Sequence, residues 1–399
     1  MRQTTNAKGE LRSRPFVLLV VATALSFFGY TLLLPLVPLW AVHGGAQAAA
    51  AGTTTTVFMA ATVLAQFASP RLIQRIGYSL SFALGSAVLG APTPLYALTS
   101  ALPALLAISI LRGIGFGLLT VSGSALVAEL LPRELLGRGS GVYGIAVGVP
   151  TLVGLPAGVW LSHRLGFWLV FLLAGVLPVL ASIPALSLPR LTVAPHVDAH
   201  ANRPSERSPW GAMLTPWLVM LAVALGFGGV VTFLPIALRG AQNISALVLF
   251  AIGAAMLLGR LLSGVVGDRL QLAGRQLSAG IVIATSGLLL IALGTHVYEG
   301  ASMPGAAAAL TVTGAALFAG GFGVLQNDSL VVMFHRVKPT HYGFASAVWN
   351  VGYDSGTGVG AVVIGAMVAR TGYVTAFLAS AVLLLGVLPS TVISIRRTG

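Results

Sequence analysis

The chain has no cysteine, only nine acidic residues against 22 lysines and arginines, and no polar stretch long enough to build a soluble domain. Without cysteine there is no disulfide framework, no thiol nucleophile and no thiolate metal site. The phosphate-loop pattern Gly-x-x-x-x-Gly-Lys-Ser/Thr is missing too, so nothing in the chain draws energy from a nucleotide. The nine acids are Glu10, Glu129, Glu134, Asp198, Glu206, Asp268, Glu299, Asp328 and Asp354, and they form no cluster that could hold a metal diphosphate. That argues against an intramembrane prenyl or acyl transferase. The seven histidines fall at the ends of apolar stretches or between them, with no metal pair inside one. No enzyme activity, catalytic residue, cofactor or metal is expected. A receptor without transport is also disfavoured, because the longest aqueous segment, 189–210, offers little for a partner to grip.

What the chain has is hydrocarbon. It is 56% hydrophobic and 8% charged, with a mean hydropathy of +0.94, which is the composition of a protein whose main solvent is lipid. Crossing the hydrocarbon as helix takes about 20 apolar residues. On that basis the sequence predicts twelve spans, near 15–42, 52–73, 78–98, 103–131, 138–162, 167–188, 212–238, 245–267, 276–296, 305–334, 341–369 and 372–395. The first run is longer than the roughly 7 to 15 apolar residues of a secretory leader and is expected to stay as a span. Segment 189–210, rich in Pro, His and charge, reads as a linker between a first bundle, 1–188, and a second, 211–399.

The cations set the direction of the spans. Two of the 22, Arg112 and Arg260, lie within spans; 17 of the rest fall on one side and three, Arg164, Arg239 and Arg370, on the other. Such a bias in short loops places the richer side, with both termini, in the cytoplasm. The net charge of +13 forms no basic face, so the expected contact is anionic lipid headgroup and not nucleic acid. The expectation is a monomer in a bacterial inner membrane.

The two halves repeat. Gly29, Leu34 and Pro35 match Gly229, Leu234 and Pro235; Gly115-Phe116-Gly117 matches Gly321-Phe322-Gly323; Arg164, Gly166 and Phe167 match Arg370, Gly372 and Tyr373. A duplicated six-helix unit is one recognised transporter architecture, with the substrate site near the midplane between halves. Glycines at helical spacing, with Gly148, Pro150 and Gly154 in span five and Gly352 and Gly356 in span eleven, allow close backbone approach or bending at an interface.

Several motifs resemble those of the major facilitator superfamily. Arg260-Leu-Leu-Ser-Gly264-Val-Val-Gly267-Asp268-Arg269 is similar to its loop motif Gly-x-x-x-Asp-Arg. The first-half copy, ending in Gln74-Arg75, lacks the aspartate. The resemblance implies a cytoplasmic latch of Asp268, Arg269, Arg260, Gly264 and Arg75, with Glu129 and Arg138 as partners. Leu111-Arg112-Gly113-Ile114-Gly115 resembles the family's span-four motif, and span five is a loose relative of its antiporter pattern. The likeness implies an all-α fold of twelve transmembrane helices in two pseudo-symmetric six-helix bundles, moving a small molecule by alternating access, with drug or metabolite efflux favoured.

The residues themselves point to the coupling site. A cation as deep as Arg112 costs about 3 kcal/mol on insertion scales and should face a partner or a wet crevice. Asp354 sits near the middle of span eleven, one turn from Asn350. Taking a carboxyl out of water penalises its charged form, so such a group can exchange a proton near neutral pH. Asp354 is the expected proton site, with Arg112 and Asp328 as further candidates. Asn350, Tyr353, Tyr30, Gln326 and Trp349 are expected around the substrate. The leading expectation is proton-coupled efflux of a small organic compound; the alternative is an importer or uniporter of a sugar or other neutral metabolite.

Overall fold

A computed structural model describes residues 11–131, 136–188, 210–270, 274–298, 303–336 and 342–391. Among these there is helix and turn but no strand. We number the spans TM1 (Arg14–His43), TM2 (Ala48–Ile76), TM3 (Tyr78–Leu98), TM4 (Leu102–Leu130), TM5 (Leu136–Leu165), TM6 (Phe167–Leu186), TM7 (Trp210–Ala237), TM8 (Gln242–Leu270), TM9 (Gln276–Val297), TM10 (Gly305–His335), TM11 (342–371) and TM12 (373–386). TM11 and TM12 run on as one helical stretch, Tyr342–Gly386, broken only at Gly372, whose φ of 84° no helix accommodates. Each sequence-derived span has its helix, with ends shifted by a few residues, except that the helix of the last, 372–395, runs unbroken only to Gly386 and residues 392–395 lie outside the described residues. Of the linker expected at 189–210, all but Trp210 lies outside the described residues.

Two helices are interrupted, each for a local reason. Pro35 offers no N–H, and TM1 breaks there into Arg14–Thr31 and Leu36–His43. TM3 is α-helical to Gly90 and then tightens, after Pro92, into a 3₁₀ turn over Thr93–Leu98. The repeat partner of Pro35, Pro235, falls in the last turn of TM7 and breaks nothing. Apolar side chains cover the outside: Leu64 and Val382 are each 70% exposed, a surface that suits lipid and would aggregate in water.

Small residues decide how the helices pack. A Cβ on Gly113 or Gly117 of TM4 would strike the carbonyl oxygens of Phe58 or Thr62 in TM2, and one on Gly321 of TM10 would meet the backbone of Ala284 in TM9. The glycines of TM5 and TM11 serve corresponding contacts. Gly154 and Gly158 press against Thr31 and Leu32 of TM1, while Gly352, Gly356 and Gly360 press against Trp217, Leu221 and Leu225 of TM7. The Thr31 hydroxyl donates to the Pro150 carbonyl at 2.9 Å, fastening TM1 to TM5. Gly148 differs from its neighbours, because it faces Leu257 of TM8 in the other half.

The duplication is visible in the packing. Phe27 and Phe116 meet at 5.4 Å between ring centroids, and their counterparts Phe227 and Phe322 at 5.0 Å. A finer repeat emerges as well. Gly77, Gly166, Gly274 and Gly372 all take φ between 82° and 84°, and they stand between TM2 and TM3, TM5 and TM6, TM8 and TM9, and TM11 and TM12. In three of the four units the second helix thus passes to the third through one glycine, while Gly274 stands just before TM9, after residues 271–273, which lie outside the described residues. At Gly166 the backbone pair is φ 84° and ψ 158°, a region that side chains with a Cβ rarely enter.

This gives a stability prediction. A Cβ at Gly166 would meet nothing within 4 Å, so Gly166→Ala tests backbone strain alone and should cost about 1–3 kcal/mol. Gly141→Ala, exposed in a helix with equally open surroundings, should be neutral or stabilising by up to about 1 kcal/mol. Thermal midpoints of the two purified variants in detergent check the contrast; equal midpoints would refute it.

Candidate functional site

The halves meet mainly through TM2 against TM11 and TM5 against TM8. Along TM2 the approaches run from Ala49 beside Gly365, through Gly52 beside Ala361, to Met59 beside Gly358. Hydrogen bonds cross at three levels. Thr55 and Thr232 hydroxyls lie 3.4 Å apart, the Thr56 hydroxyl donates to the Gly358 carbonyl at 2.7 Å, and Gln66 Nε2 donates to Asp354 Oδ2 at 2.6 Å. This seam starts at the end where the cations are few and stops near the middle of both helices. Toward the arginine-rich end, Gly141 and Gly144 of TM5 have no neighbour within 4 Å of where a Cβ would sit.

Asp354 therefore stands at the inner limit of the seam, 4% exposed, with its carboxylate held by an amide of the opposite half. Gln66 also reaches the Thr120 hydroxyl of TM4 at 3.4 Å, while its own Oε1 is buried with no hydrogen-bond partner. Sequence reasoning missed Gln66. The available signal was a lone amide in an otherwise apolar and threonine-rich stretch, but its partner lies 288 residues away.

Arg112 is 3% exposed in TM4 and does not touch Asp354. Its Nε donates to the Leu89 carbonyl at 3.3 Å and its Nη2 to the Gly29 carbonyl at 3.4 Å. The guanidinium lies over the rings of Phe58 and Tyr96, 5.5 and 5.6 Å from their centroids. Tyr30 shares a neighbour with Arg112, its ring stacking on that of Phe58 at 5.6 Å. Its ring stacks on Phe116 at 4.2 Å and its hydroxyl is buried without a partner.

On the other half, Tyr353 stacks between Phe322 at 5.9 Å and Trp349 at 6.0 Å. Trp349 Nε1 donates to the Ser329 hydroxyl at 2.9 Å, and Gln326 Nε2 points to the Met256 sulfur at 3.7 Å. Asn350 is half-buried on TM11. Tyr353 also lies within electrostatic reach of Arg260. Arg260 sits ten residues inside the arginine-rich end of TM8, roughly 15 Å along a helix, which puts it level with the aromatic cluster. Of the other residues expected in a latch, Gly264 faces Asn327, and Arg75 and Glu129 are exposed. The side chains of Asp268, Arg269 and Arg138 lie outside the described residues.

Asp328 occupies a different environment. Its Oδ1 accepts the Gly274 N–H at 2.9 Å, and its carboxylate faces the amides of Gln276 and Leu277 in the first turn of TM9. A negative group there satisfies amides that a helix cannot bond internally and opposes the helix dipole. Its placement is that of a cap supplied by TM10 to TM9. Among the described residues no group of three or more His, Cys, Asp or Glu side chains could hold a metal ion.

Comparison with known proteins agrees with this architecture. The family model of the Major Facilitator Superfamily matches residues 19–333. A probable multidrug-efflux transporter of Mycobacterium tuberculosis is 33% identical over 135 residues, 34% of this chain and 28% of the relative. An uncharacterised transporter of the same superfamily type from that organism is 29% identical over 238 residues, 53% of this chain and 34% of the relative. The chain thus matches about a third of the length of these relatives. A POT family transporter crystallised with 5-aminolevulinic acid superposes with a TM-score of 0.78 at 15% identity, over 95% of this chain and 96% of that one. A bacterial homologue of the human lysosomal transporter Spinster, inward-facing and occupied, superposes with a TM-score of 0.70 at 15% identity, over 96% and 97%. Those likenesses establish the fold, and the match of the family model over most of the chain establishes the kinship: the protein belongs to the Major Facilitator Superfamily.

Proposed function

We propose that the protein exports a small organic compound across a bacterial inner membrane in exchange for protons, by rocking a bundle of residues 1–188 against one of 211–399 about the linker 189–210. The arginine-rich loops and both termini lie in the cytoplasm on this reading. The open surroundings of Gly141 and Gly144 then belong to the cytoplasmic side. Efflux is favoured by the name of the mycobacterial relative.

The observation that carries the coupling is the hydrogen bond from Gln66 to Asp354. It joins the two halves where the seam ends, so whatever changes Asp354 acts on the contact that must break for the halves to part on the far side. A charged carboxylate needs the Gln66 N–H. A proton removes the cost of burying the charge and turns the acceptor into an O–H donor, which the unpartnered Oε1 of Gln66 can accept after an amide flip. Asp354 thus carries the proton, Gln66 responds to it, and Tyr353, Trp349, Asn350, Gln326 and Tyr30 line the substrate's path. Arg260 and Arg112 fix the positive field on either side. Asp328 serves TM9 as its cap.

Asp354→Asn should keep the fold and substrate binding but lose substrate movement driven by a pH gradient by at least tenfold. Proteoliposomes with an internal pH-sensitive dye check this, and full gradient-driven transport by the variant would refute the assignment. Asp328→Asn, which preserves the acceptor, should leave coupling intact, whereas Asp328→Ala should lower stability by about 0.5–2 kcal/mol.

Gln66→Ala leaves the buried carboxylate without its amide, a loss of about 1–3 kcal/mol from the seam. Since the chain has no native cysteine, Gln47→Cys and Asn243→Cys, both at exposed positions, can carry spin labels without background. The expected outcome is a population with longer distances between the labels in Gln66→Ala. An unchanged distribution at high and low pH would remove Gln66 from the mechanism.

A further inference from the structure

The N-terminal half holds a partly open pocket lined by TM1, TM2, TM4 and the 3₁₀ turn of TM3. One wall is hydrocarbon, from Leu33, Leu34, Val37 and Pro38; the other presents Tyr30, Thr54, Thr55, Ser109 and Arg112. Two features of that polar wall are unfinished. Arg112 is a buried cation with no ion pair among the described residues, and two backbone carbonyls at 3.3 and 3.4 Å take its Nε and Nη2. Both bonds are longer than the roughly 2.7–2.9 Å usual when a cation meets an anion. The Tyr30 hydroxyl, on a residue only 7% exposed, is buried with no partner at all.

A guanidinium offers five N–H donors in a fork that fits a carboxylate, and leaving such a group buried without its counter-charge is costly. Carbonyl dipoles and two ring faces offset part of that cost. The neighbouring polar groups are hydroxyls, which can donate to an anion. No second cation lines the cavity, so a doubly charged phosphate would be under-compensated, and the hydrocarbon wall has no use for a bare inorganic ion. We infer that this cavity binds the charged head of an amphipathic organic monoanion, with Arg112 and the Tyr30 hydroxyl as its donors and the Leu33–Pro38 side as the seat of its apolar body. This names the substrate class of the proposed exporter and rests on that reading.

The test compares 1-naphthoate with 1-naphthamide, which share shape and differ in charge, by equilibrium dialysis against the purified full chain in detergent with a protein-free blank. Naphthoate should bind roughly tenfold or more tighter than the amide, and Arg112→Gln should abolish the difference. Tyr30→Phe keeps the ring on Phe116 and deletes only the donor; it guards against an Arg112→Gln protein that fails to fold, and should weaken naphthoate about three- to tenfold while sparing the amide. Equal affinity for acid and amide, or a Tyr30→Phe protein that binds naphthoate like the wild type, overturns the inference. Ethidium movement in proteoliposomes keeps the two levels apart. Gradient-driven ethidium efflux without naphthoate binding sinks the anion site and leaves the exporter standing; absence of both sinks the exporter reading itself.

Discussion

Hydrocarbon supplies no hydrogen bonds, and this one constraint orders the protein. Every ionisable group kept at mid-membrane must be satisfied by the protein itself. The buried charged side chains Asp328, Arg112 and Asp354 meet the requirement in three ways. Asp328 spends its charge on the free amides at the start of TM9. Arg112 is tolerated by ring faces and two distant carbonyls. Asp354 leans on a neutral amide from the other half of the molecule. None of the three is complete: Asp328 Oδ2 and Gln66 Oε1 are buried without a hydrogen-bond partner, and Arg112 has no ion pair among the described residues. Unmatched groups are where a ligand or a proton has something to gain.

The same solvent explains why so much of the architecture was legible in the sequence. Lipid gives helices no hydrophobic reason to associate, so backbones must come close, and close approach demands glycine. The Gly-Phe-Gly repeats marked true equivalents for that reason: Gly115 and Gly321 each press on the neighbouring span while Phe116 and Phe322 each meet a phenylalanine from the first span of their own half. The cation bias gave span number and order because charge cannot rest in the hydrocarbon. The site was harder to read. Asp354 stood out as an acid inside an apolar span, but Gln66 is an ordinary residue until the fold sets it opposite that acid. Arg260 shares a helix face with Gly264 and Asp268, which made one motif of them; the rise of the helix separates its level from theirs. The fourfold turn at Gly77, Gly166, Gly274 and Gly372 was hidden because the surrounding residues differ and only the backbone conformation is shared.

Duplication would ordinarily copy a charge along with its helix, and here it has not. Asp354 and Gly148 are 206 positions apart, the same spacing as Arg370 and Arg164, so they are equivalents. One contact of the seam is Asp354 with Gln66, and its counterpart is Gly148 with Leu257. At the same spacing Arg112 corresponds to Phe318, which is fully buried and stacks on Phe322 at 6.3 Å. A symmetric pair of aspartates or arginines flanking one crevice would set like charges against each other in a medium that screens them poorly. With a glycine at the position equivalent to Asp354 and a phenylalanine at that equivalent to Arg112, neither charge meets its own copy across the molecule. On the proposed reading, that divergence is what lets one half hold the anion at Arg112 and the other the proton at Asp354 without a competing like charge at the equivalent position.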